Sequence, residues 1–387
     1  MRIGLDARFL THPQRGGFKT YIEGLVTALA QVDSDNDYVV YVDRRPAPAD
    51  RIPDRDNFVT RVIPGRWPLV GMPFREQVLL SRWARRDGLA LLHSPSLTAP
   101  LFTSCRTVVT IHDMIWHFRG RFSKEQRSSP YRKLLDFYYG VVPRWAARRA
   151  AAVVADSNSA KRDIIEHLGV NEARIFVTYL AASPVFRRIA EKAAIDEALR
   201  KYELPPTFVL GIGAADPRKN IGTLVRAYAM LPEALRRRYP LVIVWAHPAL
   251  SASVRNQVEA LGLTGQVRSV GPLSLEELAL VYNAASVFVF PSRYEGFGMP
   301  VVEAMACGTP VVAADNSSTS EITGEAGLLV PTDDAAATAE GMARVLTDAS
   351  LREALVSRGL KRASDFAWEK CARETILAYR YAASAGA

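Results

Sequence analysis

Two glutamates eight positions apart, Glu295 and Glu303, flank a glycine-rich turn and have the types and spacing that could do chemistry. The preceding run SVFVF (286–290) is apolar and β-branched, which predicts a strand buried on both faces. Gly296 and Gly298 let backbone N–H groups approach a ligand closely. The helix predicted to follow the turn would offer free N–H donors and a positive dipole end to a phosphate. A strand, a glycine turn, a helix N-terminus and two carboxylates together favour a nucleotide-sugar site over an ordinary core or surface turn.

A second candidate segment is FVLGIGAADPRKNIGTLVRAY (208–228), where a predicted strand ends in a glycine-containing loop. Arg218 and Lys219 stand just before the next predicted helix. Cations at that place can neutralise a diphosphate as a leaving group takes up charge. A merely solvated Arg-Lys pair would be poorly placed there, because basic residues disfavour a helix N-terminus.

The first half of the chain carries a histidine in a comparable position. TVVTI (107–111) predicts a strand that runs directly into His112 and Asp113, and ligands bind at the carboxyl ends of such strands. The alternative for His112 is a core residue satisfied by a backbone carbonyl. We interpret Asp113 as a partner that orients His112 or a loop, and His93 as structural.

Strands and helices alternate along the whole chain, which predicts an α/β fold with parallel sheets. The predicted strands are 2–6, 38–42, 89–93, 107–111, 152–155, 207–212, 241–245, 286–290, 310–314 and 327–330. The predicted helices are 19–31, 74–87, 130–150, 159–168, 221–229, 251–261, 275–284, 300–306, 335–347 and 350–363. A charged, proline-containing stretch at 181–206 predicts a linker followed by a short helix.

The blocks around the two glutamates resemble retaining glycosyltransferases of family 4, which have the GT-B fold. The match is the E-x7-E signature, here EGFGMPVVE (295–303) followed by AMACGTPVV. By this resemblance Glu303 would bind the donor ribose and Glu295 would lie against the donor sugar. Backbone N–H groups of the turn formed by Gly296, Phe297, Gly298 and Met299 would meet the sugar and the diphosphate.

The same resemblance extends to three other segments. Lys219 and Asn220 match a G-R-x-x-P-R-K-N loop that holds the diphosphate in the family. Ala214 stands where the family has an arginine. We therefore expect the phosphate charge to be held by Lys219, by Arg218 or by the helix dipole. His112 matches a histidine that contacts the donor sugar near the reacting centre. Gly16 and Gly17 match a glycine-rich first loop near the donor phosphate and the acceptor, although a Gly-Gly loop alone is usually only a turn. In the family a proline followed by an Asn-Gly turn stands near this region, and the segment VTYLAASPVF (177–186) does not have that pattern.

The GT-B resemblance implies two Rossmann-like, doubly wound domains that face a deep cleft. We expect an acceptor-side domain over 1–185 and a nucleotide-sugar-binding domain over 186–365. The terminal helix, 366–387, is expected to pack back on the first domain. The segment 268–272 is expected near the nucleotide base.

We predict that the protein requires neither a metal ion nor a cofactor. The acidic triplets Asp33-Ser-Asp35 and Asp54-Arg-Asp56 stand in polar or proline-containing stretches without a phosphate-binding pattern, and we interpret them as solvated turns. Loss of activity on chelation, restored by manganese, would contradict this prediction.

Net charge is +9 overall, and residues 1–185 carry all of it, with 27 Lys+Arg against 18 Asp+Glu. Such a basic half points to an anionic partner. We see no nucleic-acid recognition motif and favour anionic lipid or a phosphate-linked lipid acceptor, with the segment FRGRFSKEQRSSPYRKLLDFYYG (118–140) as the membrane or acceptor edge. The competing explanation for the excess of basic residues is that an Arg-rich composition merely reflects a high-GC genome.

Two observations bear on the expected localisation. The sequence has no apolar run of about 20 residues, and MRIGLDARFL has no signal-peptide core. Three widely spaced cysteines, Cys105, Cys307 and Cys371, fit a reducing compartment. We expect a cytoplasmic protein, with a peripheral position at the inner face of the cytoplasmic membrane as an extension of that expectation.

The function expected from the resemblance is retaining, metal-independent transfer of a hexose from a nucleotide diphosphate sugar to a glycan or lipid-linked acceptor hydroxyl. Similarity to bacterial mannosyltransferases favours GDP-mannose, with UDP-glucose or UDP-N-acetylglucosamine next. The rivals are a nucleotide-sugar epimerase on the same scaffold, an NAD-dependent dehydrogenase, which the lack of a GxGxxG disfavours, and a non-enzymatic glycan- or lipid-binding protein.

Overall fold

The computed structural model describes residues 1–12, 16–48, 50–65, 71–118, 130–213, 216–245 and 250–384, with the backbone alone from 130 to 134. The chain divides into two compact units. The first contains the described residues up to Ala181 together with those from Ala367 onward, and the second runs from Ala182 to Phe366. The boundaries predicted from the sequence were 185/186 and 365/366.

The described residues of the first unit form a seven-stranded sheet in which every pair of neighbours is parallel. The spatial order is β3-β2-β1-β4-β5-β6-β7. Its strands are β1 (Arg2–Asp6), β2 (Asp37–Val42), β3 (Phe58–Val62), β4 (Leu91–Ser94), β5 (Arg106–Ile111), β6 (Ala152–Ala155) and β7 (Ile175–Val177).

Helices cover both faces of this sheet, as the alternation of strands and helices predicts. The helices of the first unit are α1 (Gly17–Val32), α2 (Gly71–Phe74), α3 (Ser81–Arg86), α4 (Pro130–Arg149) and α5 (Asn158–Asp163). A π-helical turn, Arg75–Leu80, joins α2 to α3, and a second, Ile164–Leu168, continues α5.

The second unit contains a six-stranded parallel sheet among its described residues, in the order β10-β9-β8-β11-β12-β13. Its strands are β8 (Val209–Gly213), β9 (Leu241–Trp245), β10 (Val267–Val270), β11 (Val287–Phe290), β12 (Val311–Ala314) and β13 (Leu328–Val330). Order reverses between β8 and β11, and ligands of doubly wound sheets bind outside the carboxyl ends of the strands at such a point.

The helices of the second unit complete a Rossmann-like layer on each side of its sheet. They are α6 (Lys192–Lys201), α7 (Ile221–Met230), α8 (Glu233–Arg238), α9 (Ala252–Ala260), α10 (Leu275–Ala284), α11 (Met299–Ala306), α12 (Ser317–Thr323), α13 (Ala335–Thr347) and α14 (Ala349–Ser364). The predicted fold class, two Rossmann-like parallel-sheet domains, is confirmed.

Three short strands and two short helices are absent from the sequence-based prediction. β3 lies at a sheet edge and is largely half-exposed, so it lacks the apolar run of a buried strand. β7 has three residues and β10 has the mixed sequence VRSV. Edge strands bury one face or less, and their sequences therefore carry a weaker signal. α8 and α12 have six and seven residues, too few to establish a helical period.

The terminal helix α15 (Trp368–Ser384) belongs to the first unit and packs against α1. Gly24 on α1 makes this contact close, because a Cβ at that position would lie 2.3 Å from the Trp368 ring. The interface needs a residue without a side chain there, and Trp368 fills the space.

We expect Gly24→Ala to destabilise the first domain by about 1–3 kcal/mol, because the indole ring must shift out of a packed interface. Chemical denaturation measures the effect. Gly140→Ala is the matched control, since a Cβ at that helical position meets nothing within 4 Å and alanine favours the helix. Equal stability of the two variants would contradict the packing argument.

No helix in the described part of the chain combines the length and the apolar character needed to cross a membrane. Likewise, among the described residues, no three His, Cys, Asp or Glu side chains are grouped so that they could hold a metal ion.

Candidate active site

The loop between β8 and α7 is shaped by its own polar side chains. Asp216 accepts a hydrogen bond from the Arg218 N–H at 2.9 Å and so caps the short 3-10 turn Pro217–Lys219. Asn220 then adopts a left-handed conformation, with φ of 54°. Its Nδ2 donates to the Pro291 carbonyl at 3.0 Å, which ties this loop to the one that follows β11.

Glu295 brings the two cations of that loop together at the carboxyl end of the second sheet. Its Oε1 lies 2.8 Å from Lys219 Nζ, and its Oε2 lies 2.6 Å from Arg218 Nη1. Lys219 Nζ also lies 5.2 Å from the centre of the Phe290 ring. One carboxylate therefore pairs with both cations of the loop in this structure.

Three serines fix Glu295, and sequence reasoning did not single out any of them. Ser292 Oγ donates to Glu295 Oε1 at 2.6 Å. The Glu295 N–H donates to Ser317 Oγ at 3.0 Å, and Ser318 Oγ donates to the Glu295 carbonyl at 2.8 Å. Ser317 has a positive φ of 42°, a conformation that is strained for a serine.

Opposing effects act on the Glu295 carboxyl. Burial raises its pKa, but the charges of Lys219 and Arg218 and the hydrogen bonds outweigh burial and hold the pKa below its usual value. Glu295 is therefore a firmly ionised partner of the two cations.

The glycine turn places the N-terminus of α11 beside this cluster. Gly298, the N-cap, has φ of +97°, a conformation that favours glycine, and no side chain of the described residues caps the helix. Gly296 and Phe297 are buried, and the Phe297 ring packs edge-on against Phe366 with centroids 5.6 Å apart. The uncapped first turn of α11 suits an anion.

Glu303 lies on α11, one turn beyond Met299. Its Oε2 accepts a hydrogen bond from the buried Tyr282 hydroxyl at 3.3 Å. Burial raises the pKa of Glu303 to about 7, although the Tyr282 bond and the charge of Lys219 act in the opposite direction. The two glutamates of the signature thus differ in environment: Glu295 is ion-paired, whereas Glu303 has no cation in contact with it among the described residues.

In the first domain, His112 follows β5 and has both ring nitrogens engaged by the protein. Nδ1 lies 2.7 Å from Asp156 Oδ2, and Nε2 lies 3.1 Å from the Pro95 carbonyl oxygen. Because a carboxylate and a carbonyl only accept, this arrangement favours protons on both nitrogens and hence the cationic form of the ring. Burial lowers the pKa of His112, but the Asp156 charge and the hydrogen bonds raise it above its usual value.

The hydrogen bonds of Asp113 decide between the two roles that the sequence left open for it. Asp113 accepts from the Ile115 N–H at 2.9 Å and so shapes the loop, whereas the residue that orients His112 is Asp156 at the end of β6. Asp156 stands in the segment ADSNS (155–159), in which a serine is suited to cap the helix that follows. That capping is also present, because Ser157 Oγ accepts from the Ala160 N–H.

Gly16 is the N-cap of α1 and Gly17 is its first residue, so the helix begins two residues earlier than the predicted start at Lys19. Both are exposed, and a Cβ at either would meet nothing within 4 Å. Within the described part of the chain, no side chain caps α1, and its first turn holds no acidic residue. The position therefore leaves room for a ligand at the start of the helix.

Comparisons with known proteins show the family to which the chain belongs. The family described as Glycosyl transferases group 1 matches residues 193–362, and the one described as Glycosyltransferase Family 4 matches residues 15–183. O-antigen chain mannosyltransferase B of Escherichia coli is 34% identical over 302 residues, covering 77% of this chain and 76% of the relative. The chain belongs to glycosyltransferase family 4.

A second relative and a solved structure extend the comparison. The serotype-specific mannosyltransferase WbdA of Escherichia coli is 30% identical over 274 residues, or 70% of this glycosyltransferase, but the match spans only 33% of WbdA. Sucrose-phosphate synthase from Thermosynechococcus elongatus superimposes with a TM-score of 0.75 at 24% identity, covering 100% of both chains. The structural likeness shows that the glycosyltransferase shares the fold of that enzyme.

Within the second domain of the glycosyltransferase, the structure brings most of the predicted donor-site residues together. These residues are Arg218, Lys219, Asn220, Glu295, Gly296, Phe297, Gly298, Met299 and Glu303. Asn220 is the one whose amide serves the protein itself, since it donates to Pro291 and accepts from Thr223. Direct contact of these residues with a donor stays a prediction.

The remaining predicted features belong to the first domain or fall outside the described residues. His112, Gly16 and Gly17 belong to the first domain. Ala214 and most of the segment 118–140 lie outside the described residues. His93 is buried between Thr110 and Tyr379, with hydrogen bonds of 2.8 and 2.7 Å, as expected of a structural residue. Asp33 uses both carboxylate oxygens within its own turn and its bond to Tyr38.

Proposed function

We propose that this glycosyltransferase moves mannose from GDP-mannose to a hydroxyl of a glycan or lipid-linked acceptor in polysaccharide assembly, with retention of the anomeric configuration. The observation that carries the proposal is the Arg218–Glu295–Lys219 cluster beside the uncapped N-terminus of α11. The choice of mannose rests on the relatives, two of which are mannosyltransferases by name.

The cluster is suited to a departing nucleoside diphosphate. Charge develops on the bridging phosphate oxygen as the glycosidic bond breaks, and preorganised cations stabilise such charge in a site shielded from water. Lys219 and Arg218 are respectively 18% and 10% exposed, so their charges are weakly screened. The diphosphate would take over the cations that Glu295 now holds, and Glu295 would turn to the donor sugar.

Retention is proposed from the resemblance to the retaining glycosyltransferases of family 4. No nucleophile for a double displacement is evident from the sequence. A front-face displacement, in which the leaving diphosphate helps to deprotonate the acceptor hydroxyl, requires only positioning and charge stabilisation from the protein. The cations also supply the positive charge that a divalent ion supplies at other diphosphate sites, so we propose that transfer needs no metal.

The acceptor is proposed to be presented to the basic first domain. The excess positive charge of residues 1–185 would attract anionic lipid or a phosphate-linked carrier at the cytoplasmic face of a membrane. Binding of the protein to anionic vesicles that fails to weaken with added salt, or no binding at all, would contradict this part of the proposal.

Calorimetric titration with GDP and, separately, UDP tests the donor. We expect GDP to bind more tightly than UDP, and Glu303→Ala to weaken the binding of both nucleotides by removing the ribose contact that they share. Incubation with GDP-mannose and a mannan acceptor, in the presence of a chelator, should then give an α-linked product. A preference for UDP would redirect the donor to UDP-glucose or UDP-N-acetylglucosamine, and release of an epimerised sugar without acceptor would replace the transferase with an epimerase.

A further inference from the structure

A buried ion pair joins the turn after β1 to the π-helical turn before α3. Arg8 Nη1 lies 2.8 Å from Glu76 Oε2, and the two side chains are 4% and 1% exposed. The neighbouring Arg75, fully buried, donates to Asp6 Oδ1 at 2.7 Å. Removing charges from water costs several kcal/mol per ion, and buried pairs are often replaceable by apolar residues without loss of stability. Stability alone is therefore a weak explanation for this pair.

The pair holds the loop that follows β4. Arg8 Nη2 donates to Ser96 Oγ at 2.6 Å and to Thr98 Oγ1 at 3.2 Å, and Thr98 Oγ1 donates to Glu76 Oε2 at 2.5 Å. Ser96 and Thr98 are themselves buried. Arg8 and Glu76 thus clamp the two hydroxyls that flank Leu97.

Leu97 needs such a clamp because its backbone is strained. Its φ is +65°, in the region that a branched side chain rarely adopts, and the Thr98 N–H donates to the Ser96 carbonyl at 2.7 Å across it in a tight three-residue turn. Strained conformations of this kind persist only where the surroundings determine them, and they concentrate near functional sites.

The strained loop begins at Pro95, whose carbonyl accepts the Nε2 proton of His112 at 3.1 Å. The Pro95 carbonyl is therefore one of the two acceptors that keep His112 doubly protonated. Loss of its position would remove that acceptor and release Nε2.

We propose that Arg8 and Glu76 are positioning residues for His112: through Ser96 and Thr98 they hold the Pro95 carbonyl against the imidazole and so keep it cationic and fixed. The effect on transfer rests on the proposed function, whereas the effect on the imidazole does not.

Several other groups face His112 and set the background for its titration. Asp156, at the end of β6, lies 2.7 Å away, and Asp113 is its chain neighbour. Tyr21 on α1 packs edge-on with ring centroids 4.7 Å apart. His93 on β4 is close enough for the His112 charge to lower the pKa of His93. The variants below leave all of these groups in place.

The test is an NMR titration of His112 in the full chain, with its signal among six histidines assigned by its absence in His112→Asn. The double variant Ser96→Ala/Thr98→Val removes both hydroxyls and keeps the Arg8–Glu76 pair. In this variant we expect the proton affinity of His112 to fall about tenfold, which corresponds to the loss of one hydrogen bond to a charged group. Ser96→Ala alone should shift it in the same direction by less, and serves if the double variant does not fold.

Tyr138→Phe is the matched control, because Tyr138 donates to the other oxygen of Glu76 and, among the described residues, has no hydrogen bond to the loop. Its His112 titration should be unchanged. We also expect about tenfold slower transfer in the double variant with unchanged affinity for GDP. An unshifted titration in a folded double variant, or an equal shift in Tyr138→Phe, overturns the proposal. The expected shift in a protein that transfers no sugar would count against the proposed function alone.

Discussion

Lys219→Ala is expected to lower the turnover of mannosyl transfer by about 100- to 1,000-fold, the usual cost of removing one preorganised charge from a site where negative charge develops. Lys219 Nζ lies 2.8 Å from Glu295 and only 18% of its side chain is exposed, so water would not replace its charge effectively. Donor affinity should fall less than turnover, since the interaction strengthens as the diphosphate departs. Steady-state kinetics with GDP-mannose separates the two effects.

Lys201→Ala provides the matched control in the same domain. Lys201 also forms an ion pair with a glutamate, 2.6 Å from Glu277, but its side chain is 61% exposed on α6. Exposed pairs contribute little, and we expect unchanged kinetics. Turnover of Lys219→Ala within threefold of the parent protein would show that Lys219 does not act on the leaving group.

Nucleotide binding is expected to weaken steeply as the pH falls below 7, approaching tenfold per pH unit, because Glu303 must be ionised to accept hydrogen bonds from the two ribose hydroxyls. Burial raises the pKa of Glu303 to about 7, so the carboxylate is present above that pH and the neutral acid below it. Calorimetric titration with GDP between pH 5.5 and 8.5 measures the dependence.

Glu303→Gln should remove this pH dependence and reduce affinity at pH 8 by about 10- to 100-fold, the value of one or two charge-assisted hydrogen bonds. Glu340→Gln, a change at an exposed glutamate on α13 of the same domain, should behave as the parent protein. If binding to the parent protein is flat across pH 7, or if Glu303→Gln retains the same dependence, Glu303 is not the ribose acceptor.

Folding stability should respond to the same group with the opposite sign. Because the folded state holds the Glu303 proton more tightly than an unfolded chain does, its contribution to stability is complete below about pH 4.5 and is lost as the pH rises through about 7. Donor binding improves over the upper part of that range. The ionised Glu303 carboxylate would thus favour donor binding and disfavour folding over the same pH range. This combination fits a residue that is kept for function rather than for stability.

Local sequence was sufficient for the features that depend on short segments. The glycine turn, the buried strand before it and the two glutamates follow from residues close together in the chain. The structure places them as a strand, an uncapped helix N-terminus and two partly buried carboxylates. Strand–helix alternation indicated parallel sheets for the same reason, since a fully buried strand has an apolar sequence wherever it lies.

Tertiary structure alone decided the partners of those residues. Asp156 rather than Asp113 orients His112, because parallel pairing of β5 and β6 brings residues 44 positions apart to one edge of the sheet. Glu295 is ion-paired with Lys219 and Arg218, which are 76 and 77 positions away. Arg8 contacts Glu76 and Ser96, at separations of 68 and 88 positions. No period or spacing in a sequence encodes such contacts. The residue types determined which chemistry was available, and the register of the parallel strands determined which charges face one another and which carboxylate, Glu303, is left to titrate near neutrality.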